Sequence, residues 1–327
     1  APKVISIPIV SDGTPEGTEQ LTVRLSNPSG GVIVDSTDAA VLITEPGTFD
    51  SEFVLKFITN AVERVVVLPN GKVLAAGWVD QVQDPDFKLY VRGGIAQFSA
   101  TGLLDTNFLT DGGGVTGGTF PRVEDVARQP DGKLLIVGNF TAVNGTPRNY
   151  VARLNTDGSL DTSFDPGTAA DNIAHAVIVQ PDGKILIGGE FTSFNGTARE
   201  YLARLNADGS LDTGFTGPDF AATSGWSVET LALQPDRKIL VGGVFYFSTG
   251  NQRSGLVRVN TNGVLDSAFT GVVQGAHING NTTFLERVRR IVPLSSGQIL
   301  IAGDFSASNN TPRGGIALLS SIGALDG

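Results

Sequence analysis

The feature that most constrains the fold is a short segment, Leu-Asp-x-x-Phe, that returns at regular intervals along the chain. Its aspartates fall at positions 50, 105, 161, 212, 266 and 326, where the first segment is a variant and the last is cut short. The spacings between them are 55, 56, 51, 54 and 60 residues. Six such segments bound five units, which predicts a repeat protein in which each unit forms one supersecondary structure.

Other positions keep the same spacing within the units. An arginine precedes each of the last five aspartates by 13 residues, which gives Arg92 with Asp105, Arg148 with Asp161, Arg199 with Asp212, Arg253 with Asp266 and Arg313 with Asp326. We predict that these are partly buried, bidentate ion pairs that join the outer strands of each unit. The alternative is a ring of ligand-binding charges, but recurrence in every unit favours a structural role.

Within a unit the sequence reads as β-structure throughout. Residues 176–179 and 184–187 are apolar runs that flank a Pro-Asp-Gly turn, which is typical of a β-hairpin, and residues 201–205 supply a third strand. The strands are apolar on both faces, so both sides of each small sheet are expected to be covered. Radially repeated sheets of three or four strands are the blades of a β-propeller. We therefore predict an all-β fold with a propeller of five repeat units, in preference to a linear β-solenoid, whose repeats are shorter.

The best-formed unit also resembles a known repeat. Gln-Pro-Asp-Gly-Lys-Ile-Leu-Ile-Gly-Gly-Glu-Phe, followed by Arg-Leu-Asn-Ala-Asp-Gly-Ser-Leu-Asp, is similar to the delta-60 repeat of bacterial secreted proteins. The resemblance covers residues of about 48–327. It implies a propeller domain over 47–327. The repeated Leu-Asp-x-x-Phe segments place the units of this domain at about 54–108, 109–164, 165–215, 216–269 and 270–327. The resemblance also implies an extracellular or cell-surface location.

Residues 1–46 differ from the repeats and contain three predicted strands, at 4–9, 20–25 and 40–44. The stretch from Ile7 to Pro28 resembles the C-terminal half of a Calx-β domain, a β-sandwich. This resemblance implies a Ca²⁺ site at Asp12 and Glu16, since carboxylates on loops suit a hard cation; solvated turn residues are the alternative. Three strands alone make a marginal domain, so we expect them to pack on the propeller, on chain that precedes them, or on another subunit by strand addition. The chain begins without Met, which suits part of a longer or processed precursor.

Composition excludes several classes of protein. The net charge of −10 argues against a nucleic-acid-binding protein, which needs a basic surface. The absence of cysteine excludes disulfides, thiolate metal ligands and cysteine nucleophiles. No apolar run reaches the length of about 20 residues that spans a membrane as a helix. Two histidines, His175 and His277, make a poor metal set.

The candidate functional residues lie where the units differ from one another. Six residues before each Pro-Asp-Gly turn or its equivalent stand Glu63, Glu124, His175, Glu229 and Arg289. If the strand before the turn is the innermost one, these residues line the rim of the central channel. Such a ring could bind a cation, a sugar or a basic side chain of a partner; the alternative is a water-filled polar channel.

These observations favour a non-enzymatic extracellular module for adhesion, assembly or ligand binding, which requires no cofactor. The candidate partners are glycans and, through the incomplete N-terminal sandwich, a second copy of the chain or another surface protein. The alternative is a glycosidase or lyase that uses carboxylates at the channel mouth, with Glu124 and Glu229 as the candidate pair.

Overall fold

The computed structural model describes residues 19–24, 38–44, 48–49, 61–84, 87–110, 112–220, 226–246, 254–274, 277–279, 282–284 and 286–326. In this part of the chain all regular structure is β, as predicted, and no helix is long and apolar enough to cross a membrane. The predicted calcium ligands Asp12 and Glu16 and the predicted strand at 4–9 lie outside the described residues. Arg253 lies outside them as well.

Each of the five units forms an antiparallel sheet of three strands, with the second strand in the middle. The first strands are Val62–Val67, Arg122–Arg128, Ala174–Val179, Ser227–Leu233 and Arg287–Pro293. The second strands are Val73–Gly77, Leu134–Asn139, Ile185–Gly189, Ile239–Tyr246 and Ile299–Asp304. The third strands are Ile95–Phe98, Val151–Leu154, Leu202–Leu205, Ser254–Val259 and Ile316–Leu319.

The hairpin between the first two strands forms because its residues suit a tight turn. In the third unit the amide of Gln180 donates to the carbonyl of Lys184 at 2.8 Å, and the amide of Gly183 donates back to Gln180 at 2.9 Å. Gly183 has φ of 83°, a left-handed conformation that glycine adopts without a steric penalty. The carboxylate of Asp182 accepts a hydrogen bond from the Lys184 amide and completes the turn.

The sheets are arranged as propeller blades. The first strands of consecutive units lie next to one another, from the first unit to the fifth, and the second and third strands follow outward. Apolar side chains fill the space between adjacent sheets: Leu134 and Ile136 face the first unit, whereas Leu135 and Val137 face the third. This two-sided packing explains why the strands lack a polar face, and it confirms the predicted propeller fold.

Shorter strands accompany the five sheets. They form ribbons from Gln81–Gln83 with Leu89–Val91, Val115–Thr116 with Ala142–Val143 and Thr146–Pro147, Ser193–Phe194 with Thr197–Ala198, Val273–Gln274 with Ala307–Ser308 and Thr311–Pro312, and His277–Asn279 with Thr282–Phe284. A separate antiparallel sheet contains Glu19–Arg24, Asp38–Thr44 and Thr48–Phe49. Two of the three strands predicted in residues 1–46 are thus present among the described residues.

The structure corrects the predicted pairing of Arg92, Arg148, Arg199 and Arg313 with the repeated aspartates; the predicted pair of Arg253 with Asp266 is not tested, because Arg253 lies outside the described residues. Arg148, Arg199 and Arg313 each donate to the backbone carbonyl of the residue before them, at 2.9, 2.7 and 3.0 Å, and Arg92 does the same at 2.9 Å. They precede the third strand. The aspartate instead lies opposite the residue eight positions before it, because the chain folds back antiparallel after that strand, as in the bond from the Asp161 amide to the Arg153 carbonyl.

The aspartates therefore bind two other side chains. The lysine of the Pro-Asp-Gly-Lys turn or its equivalent reaches the carboxylate in the first four units, at 2.6–2.9 Å, in the pairs Lys72–Asp105, Lys133–Asp161, Lys184–Asp212 and Lys238–Asp266; in the fifth unit Gln298 contacts Asp326. In the middle three units an arginine on the third strand binds the same oxygen, at 2.7, 2.7 and 2.8 Å, in Arg153–Asp161, Arg204–Asp212 and Arg258–Asp266. The lysine of the hairpin turn and the arginine of the third strand thus both bind the aspartate of the Leu-Asp-x-x-Phe segment in the middle three units.

The same three arginines also join neighbouring blades. Each donates a second hydrogen bond to a carbonyl in the last turn of the next unit, from Arg153 to Ala207, Arg204 to Thr261 and Arg258 to Ser321, at 2.7, 2.5 and 2.5 Å. Each guanidinium also lies 4.6–4.9 Å from the ring centroid of the phenylalanine that ends the Leu-Asp-x-x-Phe segment. We call this arginine, its aspartate and the carbonyl it reaches the blade latch.

Candidate functional site

Every first strand carries a β-bulge, and the extra residue is the one that the sequence singles out as a candidate. The pairing with the second strand shifts between Val62 and Arg64 in the first unit, and at the equivalent place in the other four. The bulged residues are Glu63, Glu124, His175, Glu229 and Arg289. All five side chains are half-buried. A bulge redirects a side chain, and here it brings five variable residues to the same end of the innermost strands.

A glycine opposite each bulge makes this geometry feasible. Gly77, Gly138, Gly189, Gly243 and Gly303 each come eight residues after the first residue of the turn. A Cβ atom on any of them would press against a backbone carbonyl oxygen at the start of the first strand or of the residue just before it, well inside van der Waals distance. The regular spacing of these glycines is a sequence signal that could have predicted the bulges.

Charged side chains link the second and third units at this end. Glu124 accepts a hydrogen bond from Nε of Arg122 at 2.6 Å. Its Oε1 lies 3.8 Å from Nδ1 of His175, and Nε2 of the same histidine is 3.0 Å from Oε1 of Glu190. The imidazole therefore bridges two carboxylates that belong to different blades.

The fourth and fifth units are joined in a similar way. Glu229 accepts from Nε of Arg287 at 2.5 Å and from the hydroxyl of Ser227 at 3.1 Å. Arg289 donates to Asp304 at 3.0 Å. Together with Glu63 in the first unit, these groups form what we call the bulge rim: Glu63, Arg122, Glu124, His175, Glu190, Glu229, Arg287, Arg289 and Asp304.

The rim stabilises a positive charge on His175. Burial lowers the pKa of this imidazole, but the hydrogen bond to Glu190 and the charges of Glu124, Glu190 and Glu229 outweigh it, so the pKa lies above the ordinary value of 6.5. Reciprocally, the hydrogen bond from His175 lowers the pKa of Glu190 against the opposing effect of burial. The electrostatic contribution of His175 to stability is therefore fully present below pH 6.5 and is lost as the pH rises through the raised value.

The structure adds rim residues that the sequence alone does not identify. Arg122, Glu190 and Arg287 lie at or just beyond the strand ends beside the bulges. Arg122 pairs with Glu124 on its own strand and Glu190 pairs with His175 in the same hairpin, whereas Arg287 reaches Glu229 in the preceding unit. His277, the second histidine, belongs to a ribbon whose side chains are outside the described part of the chain. Among the described residues, no group of three or more histidine, aspartate or glutamate side chains is arranged to hold a metal ion.

The comparison with protein families decides the nature of the repeats. A model described as "Domain of unknown function (DUF5122) beta-propeller" matches residues 129–164, 180–215, 234–269 and 294–327. These four repeats therefore match the model of a propeller repeat family. The first three matches run from the hairpin turn to the end of the Leu-Asp-x-x-Phe segment, and the fourth ends in the shortened segment at Gly327, in agreement with the resemblance to delta-60 repeats. The model does not extend to residues 1–46, so the Calx-β resemblance stays a prediction.

Solved structures show similar folds at low identity. A protein of unknown function from Bacteroides caccae is 14% identical, with a TM-score of 0.39, and the match covers 81% of this chain and 79% of that one. PorZ, a surface component of the type-IX secretion system of Porphyromonas gingivalis, is 14% identical, with a TM-score of 0.44, over 97% of this chain and 42% of its own length. Regucalcin, a calcium-binding protein from Agrobacterium tumefaciens, is 14% identical, with a TM-score of 0.40, and the match covers 86% of this chain and 78% of that one. No curated protein matches the sequence.

Proposed function

We propose that this propeller is a non-enzymatic binding module that takes a neutral, hydroxyl-rich ligand, a glycan, at the bulge rim. The observation that carries the proposal is that neighbouring donors and acceptors of the rim already engage one another: Arg122 binds Glu124 on its own strand, His175 binds Glu190 in its own unit, and Glu124 approaches His175 across the blade boundary at 3.8 Å. A charged ligand would have to compete with these ion pairs. A sugar hydroxyl both donates and accepts, so it can bind a carboxylate and a guanidinium without separating them.

The pairing of the carboxylates supports binding over catalysis. Glu124 and Glu229 are each bound by an arginine, at 2.6 and 2.5 Å. Glycoside cleavage needs one carboxyl group that gives its proton to the leaving oxygen. Two carboxylates that are both engaged by guanidinium groups are better suited to holding a ligand than to exchanging protons with it.

The glycosidase or lyase alternative has its own test. Oligosaccharides that the wild-type chain binds are incubated with it and the products are separated by chromatography. Cleavage by the wild-type chain that is abolished in Glu124→Gln and Glu229→Gln would establish the enzyme and overturn the non-enzymatic proposal.

We place this module outside the cell or on its surface, where glycans are met, on the strength of the resemblance to repeats of secreted proteins. Assembly through the strands of residues 1–46 is the other role that we retain for the chain. The mass of the purified protein in solution, with and without a chelator, distinguishes a monomeric binding module from a subunit that polymerises, and reveals whether calcium at Asp12 and Glu16 takes part.

The binding proposal is tested with an array of pyranose oligosaccharides, followed by calorimetric titration of the best binder. We expect the double variant His175→Gln, Glu229→Gln to bind at least about tenfold more weakly, which corresponds to about 1.4 kcal/mol. Asp182→Asn, at the exposed turn on the other end of the blade, serves as the control and should bind as the wild type does. Absence of binding to the whole array, or equal affinity of the rim variant and the wild type, would refute the proposal.

A further inference from the structure

Phe120 is an exposed aromatic residue in an unfavourable backbone conformation. Its side chain is 63% exposed and its φ is 61°, in the left-handed region that bulky residues avoid. It also precedes Pro121, and a following proline restricts the backbone further. Residues held in such conformations cluster at ligand-binding positions, where the surrounding structure enforces them. Because most of this ring is exposed, burial of the ring contributes little to the stability of the fold and does not explain its position.

The ring of Phe120 is held flat against a tryptophan of the neighbouring blade. Its centroid lies 5.5 Å from that of Trp78, and the two planes are inclined by 13°, an offset stack. Trp78 is half-buried and follows Gly77 at the end of a second strand. At the equivalent place the other units carry Asn139, Glu190, Val244 and Asp304. The aromatic residue is therefore a departure specific to the first unit.

This aromatic pair is continuous with the bulge rim. The guanidinium of Arg122 lies 5.2 Å from the Trp78 ring centroid, and the same side chain donates to Glu124 at 2.6 Å. The side-chain amide of Asn139 donates a hydrogen bond to the carbonyl of Thr119 at 2.6 Å and so fixes the loop that carries Phe120. An outward-facing aromatic ring, backed by a second ring, thus stands beside a charged donor and acceptor.

We propose that the Trp78–Phe120 pair is the stacking subsite for one pyranose ring of the glycan bound at the bulge rim. This inference rests on the proposed function. A pyranose ring has an apolar face of C–H groups that packs on an aromatic ring, and its edge carries hydroxyls that can reach Arg122 and Glu124. The subsite is one ring wide and has charged groups at its edge, which fits a sugar better than an extended apolar segment of another protein.

Phe120→Ala tests the inference, because the exposed ring can be removed without opening the core. The probe is the oligosaccharide that binds best on the pyranose array, titrated by calorimetry into each variant. We expect Phe120→Ala to weaken binding at least about tenfold, and Phe120→Tyr, which keeps the aromatic face, to stay within about threefold of the wild type. The matched control is Phe87→Ala: Phe87 is 72% exposed and also has a positive φ, 64°, but lies on a separate ribbon turn.

The outcomes separate this inference from the proposed function. Binding that is lost in the His175→Gln, Glu229→Gln variant but unchanged in Phe120→Ala would leave the rim as the site and overturn the stacking subsite. Equal weakening by Phe120→Ala and Phe87→Ala would also overturn it, since the effect would not be specific to the stacked ring. A wild-type chain that binds no oligosaccharide would refute both.

Discussion

Replacing Asp212 by alanine is expected to lower the free energy of unfolding by about 3–5 kcal/mol, because it leaves a buried guanidinium without its counter-charge. Asp212 and Arg204 are both buried, and the carboxylate binds Arg204 at 2.7 Å and Lys184 at 2.6 Å. Arg204 in turn holds the Thr261 carbonyl of the next blade. The loss therefore weakens a blade and its contact with the following one, and denaturant unfolding measures it.

Two variants make this measurement specific to the blade latch. Asp208→Ala removes an exposed carboxylate that binds Ser210 within its own turn, and we expect a loss of about 1 kcal/mol or less. Arg199→Ala removes an arginine that binds the adjacent carbonyl of Ala198 and makes no ion pair with Asp212. A loss for Arg199→Ala as large as that for Asp212→Ala would contradict the latch.

Acid should weaken the same contacts in the wild-type protein. Burial raises the pKa of Asp266, but hydrogen bonds from Lys238, the Ala268 amide and Arg258 outweigh it and lower the pKa to about 2. The unfolded chain titrates near 3.8. The stability that this carboxylate supplies is thus complete above pH 4 and is lost as the pH falls from 4 towards 2.

Gly303→Ala is expected to destabilise the protein by about 3 kcal/mol, because the new methyl group has no room beside the bulge. A Cβ atom at this position would overlap the carbonyl oxygen of Arg287 and would lie 2.9 Å from the Cα atom of Val288, and neither backbone atom can move without breaking the strand pairing. The substitution should also displace Arg287 and Arg289 from their rim partners. Thermal unfolding measures the loss.

Gly314→Ala is the matched control in the same unit. Gly314 is exposed and has a φ outside the left-handed region, and a Cβ atom there meets no heavy atom within 4 Å. We expect this variant to unfold within about 1 kcal/mol of the wild type. If Gly303→Ala were as stable as Gly314→Ala, the backbone of Gly303 would not lie as close to the Arg287 carbonyl at the bulge as the structure has it.

Much of the fold can be predicted from the sequence because the turns and the apolar runs agree. In the third unit the predicted strands at 176–179, 184–187 and 201–205 correspond to Ala174–Val179, Ile185–Gly189 and Leu202–Leu205. The glycine-containing turns fix where each strand ends, and the two-sided apolar pattern fixes how the sheets stack. These are local signals that recur along the units, although in the fourth hairpin turn Arg237, with φ of 65°, takes the place of the glycine.

The ion pairs show what such signals leave open. Arg199 precedes Asp212 by the same 13 residues that separate the equivalent arginine and aspartate in the other units. This constant spacing reflects the repeat and does not imply that the two side chains are in contact. The partner of Asp212 is set by the antiparallel return of the chain, which places Arg204 opposite it. At the rim, variation among units identifies His175 but not its partners. Glu190 follows the second strand of the same hairpin, and Glu124 lies on the first strand of the preceding unit, which only the folded propeller brings close.

The central claim is that the bulges of neighbouring first strands build one charged rim, and the pKa of His175 tests it most directly. The protein has two histidines, so His277→Gln leaves a single imidazole to follow by NMR as the pH is varied. We expect a pKa above the ordinary value of 6.5 that falls in the additional variant Glu190→Gln. A pKa at or below 6.5, or one that Glu190→Gln does not change, would contradict the arrangement of the rim.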